Sequence, residues 1–189
     1  MSFDCDRSLL FVPPSTQDHI KGVLNAIVVL VMYGDYQCQE SADVYRLIKV
    51  IGRQLNVSLG ENYLCFLFRH FPQIQIHSHD QRAAEAAAVQ GQFWPMHEML
   101  FSHQQELGNG YLVESANNLG LDISQFLQDI SKKVYIDRIN EDIQSGLYSG
   151  VTATPALFIN GIRYSVGVAQ PRHRWTVEQI MAAIVAAND

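Results

Sequence analysis

The chain has 189 residues, a formal net charge of −6, 48% hydrophobic residues and 17% charged residues. These values are typical of one globular domain and exclude an intrinsically disordered chain. The negative charge and the lack of any run of basic residues argue against nucleic acid or an anionic membrane as a partner. The longest apolar run, residues 26–33, is too short to cross a membrane.

The three cysteines, Cys5, Cys38 and Cys65, are too few and too scattered for a disulfide framework or a paired zinc site. The N-terminal residues include acidic side chains and lack the basic and long apolar regions of a secretory signal. We therefore expect a reducing, cytoplasmic location.

The first 19 residues contain two consecutive prolines and are predicted to be an extended lead-in with an exposed Cys5. Residues 27–33 and 63–68 are predicted to be buried strands, because both are almost continuously apolar. Apolar residues recur at helical spacing over residues 41–55, between the two strands. Together these segments predict a βαβ unit with two parallel strands.

The middle of the chain contains only helical patterns, which run over residues 80–89, 93–105, 112–119, 124–130 and 134–147. Strand patterns return at residues 156–159 and 162–164. The Asn160–Gly161 pair between them predicts a hairpin with a type I′ turn. A closing helix is predicted over residues 176–187, with Thr176 as its N-cap.

These elements predict an α/β fold of the thioredoxin type. Residues 20–79 and 147–189 form a four-stranded mixed sheet with helices, residues 80–146 an inserted all-helical domain, and residues 1–19 the lead-in. The chain resembles the DsbA-like thiol oxidoreductase family from about residue 18 onward. Four motifs carry the resemblance: Val-Met-Tyr-Gly-Asp-Tyr-Gln-Cys at 31–38, Phe-Arg-His-Phe-Pro at 68–72, the alanine-rich segment 83–97, and Gly-Val-Thr-Ala-Thr-Pro-Ala-Leu-Phe-Ile-Asn-Gly at 150–161.

Cys38 lies between the end of a buried strand and the start of a helix. There the helix dipole and the free N–H groups favour a thiolate, which is the nucleophilic form of cysteine. In the resembling family this position holds the attacking sulfur. The alternative is a buried cysteine that acts as a small hydrophobic residue. The charge of Glu40 opposes the thiolate.

The spacing from Cys38 to Ser41 is that of a Cys-x-x-Cys motif with serine in the last position. Because the resembling family has a resolving cysteine there, this chain is predicted to be a monothiol. Its mixed disulfide would be resolved by an external thiol such as glutathione. Ser41 either donates a hydrogen bond to the Cys38 sulfur or simply caps the helix. Cys65 is predicted to be an inert strand residue, and Cys5 reaches Cys38 only if the N-terminal arm folds back.

The resemblance implies that the Thr154–Pro155 peptide bond is cis and lies against the Cys38 sulfur. The backbone of Thr154 would then pair with an extended substrate. Tyr36 and Gln39, close to Cys38 in the sequence, are also predicted to contact the substrate. The substrate is expected to be a protein disulfide or glutathione, with no cofactor beyond glutathione as a co-substrate.

No metal site is predicted. The histidines lack the spacing of zinc ligands and are expected in the core, at helix caps or at the interface with the insertion; they are His70, His77, His79, His97 and His103. Phe93, Trp94 and Phe101 are expected to form the core of the insertion. Arg69 and His70 either carry charge near the site or lie exposed at the surface.

Three functions remain open from the sequence. The leading hypothesis is a monothiol thiol–disulfide oxidoreductase that acts through Cys38. The second is a glutathione-dependent transferase or isomerase of the kappa kind, in which Ser41 activates glutathione and activity survives Cys38→Ser. The third is a non-catalytic module that binds peptides beside Pro155 and has an unactivated Cys38. The physiological substrate and the oligomeric state are not predicted.

Overall fold

The computed structural model describes residues 8–60, 62–73, 79–164 and 175–187, so Cys5 and His77 lie outside the described residues. Within these ranges the strands are β1 (His19–Lys21), β2 (Val28–Gly34), β3 (Leu64–His70), β4 (Ala156–Ile159) and β5 (Ile162–Tyr164). The helices are α1 (Gln39–Leu59), α2 (His79–Val89), α3 (Phe93–Ser102), α4 (Asn109–Asn118), α5 (Ile123–Lys132), α6 (Ile136–Tyr148) and α7 (Val177–Ala186). None of the helices in these ranges is both long enough and apolar enough to cross a bilayer.

The strands form one mixed sheet in the order β1-β3-β2-β4-β5. β2 and β3 are parallel and are joined by α1, which confirms the predicted βαβ unit. The other pairs are antiparallel. β2 is central and almost entirely buried, as its continuously apolar sequence predicts.

The sheet has five strands in the described residues, and the prediction of four was wrong. β1 has only three residues, which is too short for a periodic pattern to show. It pairs with β3 at the edge of the sheet, with His19 opposite Phe68. Asp18 anchors its start, because the Asp18 carboxylate accepts a hydrogen bond of 2.7 Å from Nε of Arg69.

Each face of the sheet has its own core. Leu30 and Met32 of β2 face a core shared with α1, α7 and the helices α2 to α5. Val31 and Tyr33 point to the opposite face, where α6 covers them. The predicted domain boundary between residues 146 and 147 therefore falls inside a helix that packs on the sheet. Phe93 and Phe101 are buried in the first core and Trp94 packs against it; this core is shared with the sheet and is not the separate core of the insertion that was predicted.

The β4–β5 hairpin brings a second segment beside the end of β2. Asn160 and Gly161 have φ angles of 49° and 82°, which is the left-handed pair that a type I′ turn requires. Ala156 pairs with Tyr33 in the sheet. Because β4 runs antiparallel to β2, the residues just before Ala156 lie next to the loop that follows Tyr33. This register places residues 154–155 beside residues 35–38.

Candidate active site

Cys38 is the N-cap residue of α1. Its backbone is extended, and its sulfur accepts a hydrogen bond of 3.4 Å from the backbone N–H of Ser41. N–H groups at the start of a helix carry partial positive charge, so this contact stabilises a thiolate. The side chain is only partly buried, and Cys38 is a free cysteine. The predicted position at the start of the helix is confirmed.

Two oxygen atoms also lie against the Cys38 sulfur. The carbonyl oxygen of Thr154 is 3.4 Å away, and a carboxylate oxygen of Glu40 is 3.5 Å away. The single S–H of the thiol donates to one of these oxygens at a time, and the Glu40 charge repels a thiolate. The backbone N–H of Ser41 therefore favours the thiolate, whereas the two acceptor oxygens, from Thr154 and Glu40, favour the thiol.

We expect Glu40→Gln to raise the rate at which neutral iodoacetamide alkylates Cys38 at pH 7 by about two- to fivefold. The reason is that an exposed negative charge beside the sulfur contributes a modest repulsion to the thiolate. Mass spectrometry of the Cys38 peptide measures the rate. Glu114→Gln, which removes an exposed carboxylate from α4, is the control. An unchanged rate in Glu40→Gln would show that this carboxylate does not control the sulfur.

Ser41 is fully buried and plays neither predicted part. Its hydroxyl accepts a hydrogen bond of 3.3 Å from the backbone N–H of Asp35. The expected hydrogen bond from the Ser41 hydroxyl to the Cys38 sulfur is absent from the described contacts. The backbone N–H of Ser41 donates to the sulfur instead. The prediction that Ser41 caps the helix was wrong, since Cys38 is itself the cap. Ser41 instead joins the first turn of α1 to the end of β2.

Tyr36 does not reach the surface, so its predicted contact with a substrate was wrong. The side chain is fully buried and packs against the rings of Phe68 and Phe101. Its hydroxyl shares a hydrogen bond of 2.8 Å with Nδ1 of His97. Burial lowers the pKa of His97 well below its ordinary range, so that ring is neutral. The prediction that His97 belongs to the core is confirmed.

Thr154 and Pro155 lie where the resemblance implies. The peptide bond between them is cis, and the Thr154 carbonyl faces the Cys38 sulfur. The hydroxyl Oγ1 of Thr154 is buried without a partner among the described residues. Gln39 is exposed beside Cys38, and its amide donates a hydrogen bond to Asp43. Contact between Gln39 and a substrate stays a prediction.

Asp35 holds the turn that leads into Cys38. Its carbonyl accepts a hydrogen bond from the Cys38 backbone N–H, and its carboxylate accepts from the backbone N–H groups of Gln37 and Gln73. The amide of Gln37 donates to Asp80 at the start of α2. Burial raises the pKa of Asp80 to about 6, although the hydrogen bond from Gln37 lowers it. The loop is thus held by the helical region as well as by the sheet.

Gln104, just after α3, is a site residue that the sequence did not reveal. Its amide nitrogen donates to the carbonyl oxygens of Tyr36, at 2.7 Å, and Cys38, at 2.9 Å. One side chain of the helical region therefore clamps the backbone on both sides of Gln37. Nothing in the spacing of a lone glutamine about 65 residues downstream marks it for this contact.

We expect Gln104→Ala to destabilise the loop by about 1 kcal/mol, because the carbonyl groups of Tyr36 and Cys38 each lose one hydrogen bond. The Cys38 carbonyl keeps the bond from the backbone N–H of Ala42. Hydrogen–deuterium exchange of the peptide spanning residues 35–42 measures the effect as faster exchange. Gln105→Ala, at the exposed neighbouring position, should leave the exchange unchanged. Equal protection in both variants would contradict the clamp.

Cys65 is fully buried in β3, in the core on the α6 face. Burial raises the pKa of its thiol to about 11. Such a thiol carries almost no thiolate at neutral pH. The prediction of an inert strand cysteine is confirmed.

Arg69 and His70 are also buried, which rules out surface exposure, one of the two alternatives left open for them. Arg69 binds Asp18, whereas Nε2 of His70 lies 2.8 Å from Oε1 of Glu85. His103 is exposed and caps the C-terminal end of α3, as expected for a capping histidine.

A cysteine at the N-cap of the helix after the central strand, facing a cis-proline at the start of an antiparallel strand, defines a protein of the thioredoxin fold. A family model described as "Thioredoxin" matches residues 15–184. The chain belongs to this thioredoxin family.

Curated relatives extend well beyond this domain. The chain is 32% identical over 174 residues to the Na(+)/H(+) antiporter NhaA 3 of Salinispora tropica and 37% identical over 154 residues to NhaA 1 of Mycolicibacterium vanbaalenii. These matches cover 90% and 78% of this chain but 25% and 24% of those proteins. The chain thus spans about a quarter of the length of these relatives.

Solved structures share the fold along nearly the whole chain. A thioredoxin-like oxidoreductase from Silicibacter pomeroyi has a TM-score of 0.74 and 18% identity, with 96% of both chains covered. BdbD from Bacillus subtilis has a TM-score of 0.70 and 18% identity, covering 97% of this chain and 99% of that one. α-DsbA1 from Wolbachia pipientis has a TM-score of 0.71 and 18% identity, covering 93% and 92%. The predicted DsbA-like thioredoxin fold with a helical region is confirmed.

Proposed function

We propose that this protein is a monothiol thiol–disulfide oxidoreductase. The Cys38 thiolate attacks one sulfur of a protein disulfide or of glutathione disulfide, which forms a mixed disulfide and releases the other sulfur as a thiolate. An external thiolate such as glutathione then attacks the mixed disulfide and frees Cys38. The cycle exchanges disulfides between thiols and needs no further oxidant or reductant.

The observation that carries the proposal is the surroundings of the Cys38 sulfur. It accepts a hydrogen bond from the first turn of α1 and faces the carbonyl oxygen of Thr154 beside the cis-proline. The other cysteine among the described residues is Cys65, which is fully buried in the core and therefore not accessible to a mixed disulfide at Cys38. Position 41, where a second thiol would complete the pair, is a buried serine. Since no second thiol lies beside Cys38 among the described residues, we assign the resolving step to an external thiol.

Similar structures agree with exchange chemistry. One neighbour, α-DsbA2 from Wolbachia pipientis, is described as a thiol-disulfide exchange protein. We extend thiol–disulfide exchange to this chain, in which Cys38 is the thiol at the site. We also propose a cytoplasmic location, because reduced glutathione is abundant there and supplies the second step.

The transferase alternative lacks support from the site. An activating serine must reach the sulfur of bound glutathione, but Ser41 is fully buried and its hydroxyl is bonded to Asp35. The binding-module alternative draws on a specific observation, since Glu40 and the Thr154 carbonyl both stabilise the thiol of Cys38. Such a module would hold peptides without exchanging disulfides.

The test is the formation of a mixed disulfide with glutathione disulfide, followed by intact mass and peptide mapping. We expect one adduct on Cys38, formed at least about tenfold faster than any adduct on Cys5, because the helix N-terminus favours a thiolate. Cys65→Ser should behave like the wild type, and Cys38→Ser should lose this adduct. A wild type that forms no adduct at Cys38, or forms it no faster than at Cys5, would overturn the proposal.

A further inference from the structure

Two imidazoles and one carboxylate converge behind the active-site loop. Nε2 of His19 lies 2.7 Å from Oε1 of Glu85, and Nε2 of His70 lies 2.8 Å from the same oxygen. One ligand atom from each of the three residues lies within 4.8 Å of the others. No hydrogen bond among the described residues joins this cluster to Cys38, so it is separate from the thiol site.

Three different elements hold the cluster in place. His19 belongs to edge strand β1, His70 ends β3, and Glu85 lies in α2. The ring of His19 stacks on Phe93 with centroids 3.4 Å apart, and the ring of His70 meets Phe68 edge-on at 5.3 Å. The donor atoms are therefore preorganised by the fold, which lowers the entropy lost when an ion binds.

Glu85 supplies a carboxylate from a buried position on α2. Its Oε1 accepts a hydrogen bond from Nε2 of His19 and from Nε2 of His70, so one oxygen already faces both imidazole nitrogens.

Besides its contact with Glu85, the ring of His70 makes no hydrogen bond among the described residues. It is fully buried, and Nδ1 has no partner among the described residues. In a neutral His70 that donates from Nε2, Nδ1 carries no proton and is an acceptor without a donor. When Nε2 coordinates an ion, the proton lies on Nδ1, which is then a donor without an acceptor. Binding an ion therefore creates no additional orphaned group at this ring.

We propose that His19, His70 and Glu85 form a site for a divalent first-row metal ion, of which Zn²⁺ fits best. Two imidazole nitrogens and one carboxylate oxygen are a ligand set that Zn²⁺ takes with a water molecule as the fourth ligand. Each neutral imidazole that donates from Nε2 transfers that proton to Nδ1 by exchange with solvent, and an imidazolium releases its proton to solvent. The oxidation states do not change.

The present spacing is close to what coordination needs. Bonds of about 2.0–2.1 Å in a tetrahedral site imply ligand separations of about 3.3–3.4 Å. The carboxylate oxygen would therefore move away from each imidazole by roughly half an ångström, and the two Nε2 atoms, which lie within 4.8 Å of each other, would settle at the same separation. The side chain of His19 is 14% exposed, compared with 6% for Glu85 and 0% for His70, so His19 is the ligand nearest to solvent. The site would tie β1 and α2 to the end of β3.

The test is calorimetric titration of the chelator-treated 189-residue chain with Zn²⁺, repeated for Glu85→Gln and His19→Gln. We expect one ion per chain in the wild type and affinity at least about tenfold weaker in each variant. His103→Gln, which removes an exposed histidine, and Cys38→Ser, which removes the site thiol, are matched controls that should retain wild-type affinity. Circular dichroism verifies folding, and His19→Gln decides the matter if Glu85→Gln unfolds.

Imidazole ¹⁵N spectra of the wild type provide a readout that needs no variant. We expect Zn²⁺ to shift Nε2 of two histidines, and Co²⁺ to give tetrahedral ligand-field bands without thiolate charge-transfer absorption. Absence of binding, affinity unchanged in His19→Gln, or affinity lost in Cys38→Ser would each overturn the proposal.

Discussion

A Ser41→Cys variant should close a disulfide with Cys38 on oxidation and resolve its own mixed disulfides. The Cys38 sulfur already lies 3.4 Å from the backbone nitrogen of residue 41, so a thiol at that position starts within the same turn. An intramolecular thiol has a far higher effective concentration than free glutathione. The variant would turn a monothiol into a dithiol oxidoreductase.

The measurement is the decay of the glutathione mixed disulfide after excess thiol has been removed. We expect the Ser41→Cys adduct to decay at least about a hundredfold faster than the wild-type adduct. Ser41→Ala, which also loses the hydrogen bond from Asp35, is the control and should keep its adduct. A stable adduct in Ser41→Cys would show that residue 41 cannot reach the attacking sulfur.

Arg69→Met should lower the free energy of unfolding by about 3–5 kcal/mol, because it leaves a buried carboxylate unpaired. Arg69 is 2% exposed and binds both oxygens of Asp18. It also donates to the carbonyl oxygens of Val12 and Pro13 and to the hydroxyl of Tyr33. Methionine fills most of the apolar volume but supplies none of these donors.

Urea unfolding followed by circular dichroism measures the loss. Arg53→Met, on the exposed face of α1, should change the stability by less than about 0.5 kcal/mol. Asp18→Asn combined with Arg69→Met should recover part of the loss, because the unpaired charge is gone. A loss below about 1 kcal/mol in Arg69→Met would contradict a central role for the ion pair.

The local sequence was sufficient to predict the elements that frame the site. Strand β2 and residues 64–68 of β3 are continuously apolar, and the pair Asn160–Gly161 favours a turn with both residues in the left-handed region. The position of Cys38 after β2 therefore predicted a cysteine at a helix N-terminus. The place of Thr154–Pro155 beside it came from family resemblance, since no local pattern joins residues so far apart.

Long-range contacts account for what the sequence did not reveal. β1 pairs with β3, whose Arg69 binds Asp18 at a separation of 51 residues in the chain. Tyr36 follows the end of a strand, which is typical of an exposed loop residue. Its ring is nevertheless buried, because its hydroxyl shares a hydrogen bond with His97 in the helical region. The clamp by Gln104 likewise exists only once α3 packs beside the loop.

The meeting of His19, His70 and Glu85 could not be predicted from spacing. Each comes from a different element, and none stands at the short intervals by which zinc ligands are recognised. A search of the sequence for paired ligands therefore gave no metal site. The packing of α2 against the edge of the sheet brings the three side chains together.

Turnover of a peptide–glutathione mixed disulfide, with reduced glutathione as the second thiol, tests the central claim most directly. If Cys38 exchanges disulfides as a monothiol, the wild type and Cys65→Ser will release many peptides per chain at a rate that rises with glutathione, whereas Cys38→Ser will match the reaction without protein. A wild type no faster than glutathione alone, or a Cys38→Ser variant as fast as the wild type, would contradict the account.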